Sequence, residues 1–332
     1  MNLAILLTLI KSSLPISRPR FWIYLLGPFL IGLIASQDRI TATSLLSLFG
    51  GFSAAPGPVN LFGFLLYFTY PANLLVYGVN DIFDYETDKL NEKKVWYEEL
   101  VAPESRLQLR MLIAITNLPF LLLTILPNPE SYYWLAIFAA SAVFYSAPPL
   151  RAKTKPILDT IVSAFVYIAP GYVWYYISWG NGFDWFIFFA LLARNMAMHA
   201  YSAIPDIQAD TEAEIKTVAT LYGKTGTLIF CIVCYLLAII LSFPSLWRFS
   251  PIVGSVYLIM MILSFKSSPV ITNTSSIITS TQIYDNESNH STDALPPIPT
   301  LDSHVFRLYK LFPWINMTVG WILFFYIWFF LR

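Results

Sequence analysis

The chain has 332 residues, of which 57% are hydrophobic, 17% aromatic and only 12% charged. That balance excludes a water-soluble globular domain and predicts an integral membrane protein. Basic and acidic residues cancel to a net charge of zero, so no nucleic-acid partner is expected.

The first apolar run, "MNLAILLTLIK", has no basic residue ahead of it and no small-residue cleavage site before Lys11. It reads as an interfacial lead-in helix, not a secretory signal. Nine stretches long enough to cross about 30 Å of hydrocarbon as helices follow at 21–36, 59–79, 109–127, 132–148, 157–179, 184–204, 227–247, 250–265 and 312–331. Cys231 and Cys234 fall inside the seventh at CxxC spacing and are expected to be buried packing thiols. Between the eighth and ninth, 267–300 is rich in Ser, Thr, Asn and Pro. It reads as a polar, mobile loop with no part in the chemistry. A cytoplasmic N-terminus puts the inner-loop basic residues, from Lys11 to Lys310, on the cytoplasmic side. Only Arg39, Arg248 and Arg332 are left outside, as the positive-inside rule expects. The sequons at Asn273, Asn286 and Asn289 then lie in the cytoplasm and are expected to be unused.

The second span runs out into "VYGVNDIFDYETDKLNEKK", residues 76–94. On a helix, Asn73, Tyr77, Asn80, Asp84 and Asp88 follow at i, i+3 or i+4 steps, with Asp81 flanking them. Like charges at this spacing cost an isolated helix about 0.2–0.5 kcal/mol per pair, and a carboxylate at the hydrocarbon edge costs more. A cation should therefore neutralise them. A second cluster closes the sixth span in "ARNMAMHAYSAIPDIQAD". There Asp206 and Asp210 are i, i+4, and Asn195, His199 and Ser202 share the Asp206 face if the helix survives Pro205. Both clusters leave the membrane on one side and are expected to face each other across a cavity. Such oxygen-rich pairs suit Mg²⁺, which takes one or two carboxylates per ion and completes its shell with water and substrate phosphates. A diphosphate is the ligand they would share. Arg18 or Arg20, Arg151, Lys153, Lys155, Lys216 and Lys224 are placed to hold its outer oxygens, unless they serve only to orient the protein.

"NDIFDYETD" resembles the NDxxDxxxD signature of the UbiA superfamily of intramembrane prenyltransferases, and "DIQAD" resembles its second motif, DxxxD. The resemblance implies an all-α polytopic bundle of about nine transmembrane helices around a central cavity with a cytoplasmic cap, one such domain spanning 1–332. It further implies that Asn80, Asp81, Asp84, Asp88, Asp206 and Asp210 bind two Mg²⁺ ions bridged by the diphosphate of an isoprenyl donor. Asp84, Asp206 and Lys153 would carry the catalysis. Arg18, Asn73, Tyr77, Arg151, Lys153, His199 and Lys216 would bind substrate. The metals and basic residues would stabilise the departing diphosphate while a carbon nucleophile in the bilayer attacks the allylic cation.

Two short stretches, "SRPRFWIYLLGP" and "AMHAYSAIPDIQAD", are similar to segments of the lycopene elongase branch. They imply dimethylallyl diphosphate as donor and a carotenoid such as lycopene as the lipophilic acceptor. The same scaffold serves aromatic, quinone-precursor, haem and chlorophyll acceptors. Tyr167, Tyr172, Trp174, Tyr175 and Tyr176 of the fifth span either shield a carbocation or form an interfacial belt, which is the favoured reading. A cation transporter is the competing class. It predicts charged or broken helices at mid-bilayer, whereas these carboxylates gather at span ends beside basic residues. Arg194, near mid-span, needs protein or water around it, and the sequence does not reveal its partner.

Overall fold

The computed structural model describes residues 3–36, 61–88, 101–123, 128–177, 182–266 and 303–331. Every regular element among them is helical: α1 Leu3–Ser13, α2 Ile23–Ala35, α3 Leu61–Asp88, α4 Arg106–Leu118, α5 Pro129–Phe144, α6 Leu158–Ile177, α7 Trp185–Ser202, α8 Ile207–Glu212, α9 Val218–Leu246, α10 Phe249–Ser264 and α11 Ser303–Phe330. The stretches marked as spans fall on α2 to α7 and α9 to α11, and the lead-in falls on α1. The polar loop 267–300 and the basic residues Lys89, Lys93 and Lys94 lie outside the described residues.

By length and composition, Leu158–Ile177, Trp185–Glu212, Val218–Leu246 and His304–Phe330 are each able to cross a membrane, and Pro19–Ala35 and Phe249–Ser264 are apolar but shorter. Ile229, Ile240, Ile252, Ile262, Trp314 and Phe329 are all more than half exposed. Apolar surface on that scale is untenable in water and natural against lipid tails.

The helix starts follow from local chemistry. Asn128 caps α5 by accepting from Glu130 N at 3.2 Å, with Pro129 in the first turn, where its missing N–H costs nothing. Asp184 caps α7 by accepting from Phe186 N at 2.9 Å and Ile187 N at 3.1 Å. Thr217 and Thr220 form a reciprocal capping box at the start of α9, satisfying two donors that the first turn leaves unpaired.

Among the described residues, beside a small cluster around Ala164, Ile168 and Phe188, two large apolar cores result. One joins α2 to α6 around Phe29, Phe64, Tyr67, Phe68 and Phe138. The other joins α7, α9, α10 and α11 around Tyr201, Leu228, Tyr235, Tyr257 and Phe312. Tyr167 of α6 packs against both, so the seam between the cores passes beside it. Cys231 and Cys234 are buried free thiols of the second core, as their apolar setting implies.

Helices α2 and α6 cross in backbone contact at Gly32 and Gly171. A Cβ on Gly32 would stand 2.0 Å from the Gly171 carbonyl oxygen, and one on Gly171 would stand 2.9 Å from the Pro28 oxygen. Gly32→Val should therefore destabilise the folded protein by about 1–3 kcal/mol or more through overpacking. Thermal unfolding in detergent measures this, and an unchanged midpoint would show that the crossing tolerates a side chain.

Candidate active site

The second half of α3 carries the first acidic cluster into the seam. Asp81 and Asp84 are 2% and 3% exposed, and each has a cation against it. Arg18 Nη2 donates to Asp81 Oδ1 at 3.0 Å, and its guanidinium lies 4.6 Å from the Tyr77 ring centroid. The Lys153 ammonium pairs with Asp84 Oδ1. The charge that the sequence demanded thus comes from two loops. Asp84 lies past the apolar run that ends at residue 79. Burial pushes its carboxyl above the usual range, and the Lys153 charge opposes that rise.

Lys153 reaches the site because the chain folds back after α5. Arg151 N donates to Ala147 O at 3.0 Å and Lys153 N to Tyr145 O at 3.0 Å, with Arg151 in the left-handed region at φ 43°. This reversal turns Lys153 inward, 7% exposed, and leaves Arg151 and Lys155 exposed on the rim.

The second cluster depends on a break in the helix. Helix α7 stops at Ser202, Pro205 sits in the short 3₁₀ turn Ile204–Asp206, and α8 resumes at Ile207. A proline cannot continue the hydrogen-bond ladder, and the break lets Asp206 and Asp210 share a wall with His199 and Ser202. His199 Nε2 and Tyr145 OH are 3.1 Å apart. Ser146 Oγ donates to Asn80 Oδ1 at 3.0 Å.

These groups enclose a cavity of about 240 Å³ whose wall includes Arg18, Asn80, Asp84, Lys153, Asp206 and Asp210. Tyr77, Tyr145 and His199 also line it. A second cavity of about 650 Å³, lined mainly by apolar residues of α2, α6, α7, α9, α10 and α11, adjoins it. Tyr24, Tyr167 and Met198 line both. The rings of Tyr24 and Tyr167 meet edge to face at 6.0 Å and form the partition between a polar and an apolar compartment.

Several expected residues stand elsewhere. Asn73 is fully buried and donates to Phe68 O at 2.9 Å and Thr69 O at 2.5 Å of its own helix. Pro71 opens the ladder there, and the Asn73 amide serves the loosened carbonyls, so it does not line the cavity. Arg151 and Lys216 are exposed and also off the wall. Asp81 is off it too, held by Arg18. Asn195 faces the larger cavity instead of the Asp206 side, because α7 ends before its face can continue to Asp206. The Asp88 side chain lies outside the described residues.

Of the fifth-span aromatics, Tyr167 lies at the partition and Tyr172 and Tyr175 line the larger cavity. Trp174 packs at 4.9 Å against Phe29 in the first core, and Tyr176 is buried. Neither is part of an exposed belt.

Sequence reasoning did not single out Tyr145, Ser146 or Asp159. Tyr145 and Ser146 had a signal, since they end the fourth span just before the basic loop. Asp159 is fully buried and accepts from Thr160 N at 2.8 Å and Val218 N at 2.9 Å. It ties the start of α6 to the first turn of α9 and fixes Thr217 at the cavity wall. Nothing local in the sequence marks that contact.

Comparison with known proteins places this arrangement. The UbiA prenyltransferase family matches residues 42–276. The chain is 38% identical over 231 residues to a lycopene elongase/hydratase of Haloarcula japonica, covering 70% of this chain and 74% of that one. It is also 38% identical over 228 residues to a lycopene elongase/hydratase of Haloferax volcanii, covering 67% and 69%. Its fold is similar to that of a UbiA homologue from Archaeoglobus fulgidus bound to DMAPP and Mg²⁺, with a TM-score of 0.56 and 15% identity over 93% of this chain and 99% of that one. With the family match covering most of the chain, the protein belongs to the UbiA prenyltransferase family and is a membrane-embedded prenyltransferase.

Proposed function

We propose that this protein transfers a five-carbon unit from dimethylallyl diphosphate to a carotenoid such as lycopene. One observation carries the reading: a small charged cavity meets a larger apolar one at the Tyr24–Tyr167 partition. A diphosphate fits the first compartment by charge, and a hydrocarbon chain fits the second. Relatives named for lycopene elongation and a structural neighbour bound to DMAPP and Mg²⁺ support the same donor and acceptor.

The donor set fits Mg²⁺. Asn80 and Asp84 from α3, and Asp206 and Asp210 from the broken helix, present oxygen ligands around one cavity. Among the described residues no three His, Cys, Asp or Glu side chains converge closely enough to hold a metal alone. Mg²⁺ does not ask for three, because water and phosphate oxygens complete its octahedron. These four residues are the ones that would hold two Mg²⁺ ions bridged by the diphosphate, and the bound metal supplies neutralisation of the leaving group. Lys153 and Arg18 add fixed positive charge where the diphosphate departs. Tyr24, Tyr77 and Tyr167 offer aromatic walls to the allylic cation, and the apolar cavity keeps water from its donor face. The carotenoid alkene attacks across the partition. The positive-inside bias puts the N-terminus and the charged cavity on the cytoplasmic side.

Expression in a lycopene-producing host tests this. Mass spectrometry of the extracted lipids should find carotenoids extended by five carbons, and lycopene left unmodified beside correctly inserted protein would contradict it.

A further inference from the structure

The charged cavity ends on aromatic rings that are held in place. Tyr24 stacks on Phe21 with centroids 5.6 Å apart and planes 13° from parallel, and it meets Tyr167 edge to face at 6.0 Å. Both are favoured arrangements for aromatic pairs. On the side of the larger cavity the Tyr24 phenol oxygen meets Asn316 Nδ2 at 3.4 Å. Asn316 is buried and fixed in turn, since its Oδ1 accepts from Tyr257 OH at 2.7 Å and from Arg194 Nη2 at 2.5 Å. Arg194 Nη2 also donates to Tyr257 OH at 2.9 Å, so the mid-span charge finds neutral partners on α10 and α11. The Tyr24 ring therefore has neighbours on three sides that keep it across the junction of the two cavities.

Elsewhere the wall of the charged cavity gives a hydrocarbon tail little room. Among the described residues its apolar groups include Phe21, Ala142, Val166 and Phe312, each of them buried. Ala142 and Val166 belong to the first core and Phe312 to the second. Close-packed groups of this kind admit an inserted side group only at the cost of overpacking. A hydrocarbon growing away from the diphosphate thus has one apolar direction open to it, toward Tyr24 and Tyr167. The acceptor's alkene approaches through that same gap.

We infer that Tyr24, with Tyr167, sets the length of the group transferred: the partition closes the donor's compartment one isoprene unit from the diphosphate and excludes a ten-carbon donor. This rests on the carotenoid reading above. The second isoprene unit of a longer donor would have to pass between the two rings. It would overpack the partition, and it would occupy the gap that the acceptor needs. Selection therefore acts twice, on the binding of the longer tail and on the access of the alkene to the reacting carbon. A pocket rejects a larger group by steric exclusion in this way more readily than it rejects a smaller one. The ring of Tyr24 is the determinant, and its hydroxyl is not, because the Asn316 contact is longer than the 2.7–3.2 Å of an ordinary N–H···O bond.

Membranes containing the full chain, supplied with lycopene and equal amounts of dimethylallyl diphosphate and deuterium-labelled geranyl diphosphate, provide the test. The label separates one ten-carbon addition from two five-carbon additions in the mass spectrum. The wild type should add five-carbon units in at least about tenfold excess, the scale of an overpacked contact. Tyr24→Ala should raise the ratio of ten- to five-carbon additions about tenfold, and Tyr24→Phe, which keeps the ring, should leave it at the wild-type value. Both products come from one sample, so the ratio does not depend on how much protein is folded. Tyr24→Val, a smaller truncation of this half-buried side chain, decides the matter if Tyr24→Ala fails to insert. Equal use of the two donors by the wild type, an unchanged ratio in the truncated variant, or the same rise in Tyr24→Phe overturns the inference and leaves the elongation reading standing. No addition from either donor by the wild type overturns the elongation reading and this inference with it.

Discussion

Asp84→Asn should lower prenyl transfer by about 10²-fold or more, the scale on which a preorganised electrostatic group acts in a site shielded from water. The substitution keeps the side chain's size and removes the charge that faces both the cavity and Lys153. Asp84→Ala should be at least as damaging. Both variants leave the Lys153 ammonium without its carboxylate, a cost to the fold, but Asp84→Ala also removes the oxygen that can still accept a hydrogen bond from it. For that reason the Asn variant is the cleaner measurement. Diphosphate release is measured beside the elution profile of the detergent-solubilised protein. Wild-type turnover in a normally eluting Asp84→Asn protein would show that the first acidic cluster has another use.

Removal of divalent metal should have an effect of the same order. With excess chelator, turnover should fall to the uncatalysed background, and millimolar Mg²⁺ should restore it. The argument is one of charge. Arg18 and Lys153 are the only Lys or Arg side chains on the described wall, and each already has a carboxylate against it, so the fixed positive charge they offer a diphosphate entering beside Asp206 and Asp210 is largely offset. Without a divalent ion the leaving group would face carboxylates. Full activity in chelator would mean that the basic residues alone carry the departing charge.

The parts of this site that were legible in the sequence are those governed by helical period and by composition. The apolar stretches mark where the helices run, and the step from Tyr77 through Asn80 to Asp84 follows from 3.6 residues per turn. The same period misleads at Asn73. That residue shares the face, but Pro71 two positions earlier opens the backbone and draws the amide to its own helix. The basic loop was legible as a cluster only. Which of Arg151, Lys153 and Lys155 enters the cavity depends on the reversal at Arg151, and no periodic pattern encodes it. Asp159 and Arg194 were illegible for another reason. Asp159 meets a backbone amide 59 residues away, and Arg194 meets partners 63 and 122 residues away. Such pairings belong to tertiary packing and leave no local trace.

The central claim is that the charged cavity delivers its allylic group to a hydrocarbon across the Tyr24–Tyr167 partition. One assay tests it most directly: membranes containing the protein receive dimethylallyl diphosphate together with lycopene and an aromatic acid, and both acceptors are analysed by mass spectrometry. The structure of the larger cavity, mainly apolar apart from the cluster around Arg194, leads us to expect a five-carbon unit on lycopene and an unmodified aromatic acid. Prenylation of the aromatic acid with lycopene untouched would contradict the carotenoid assignment and leave only membership of the family.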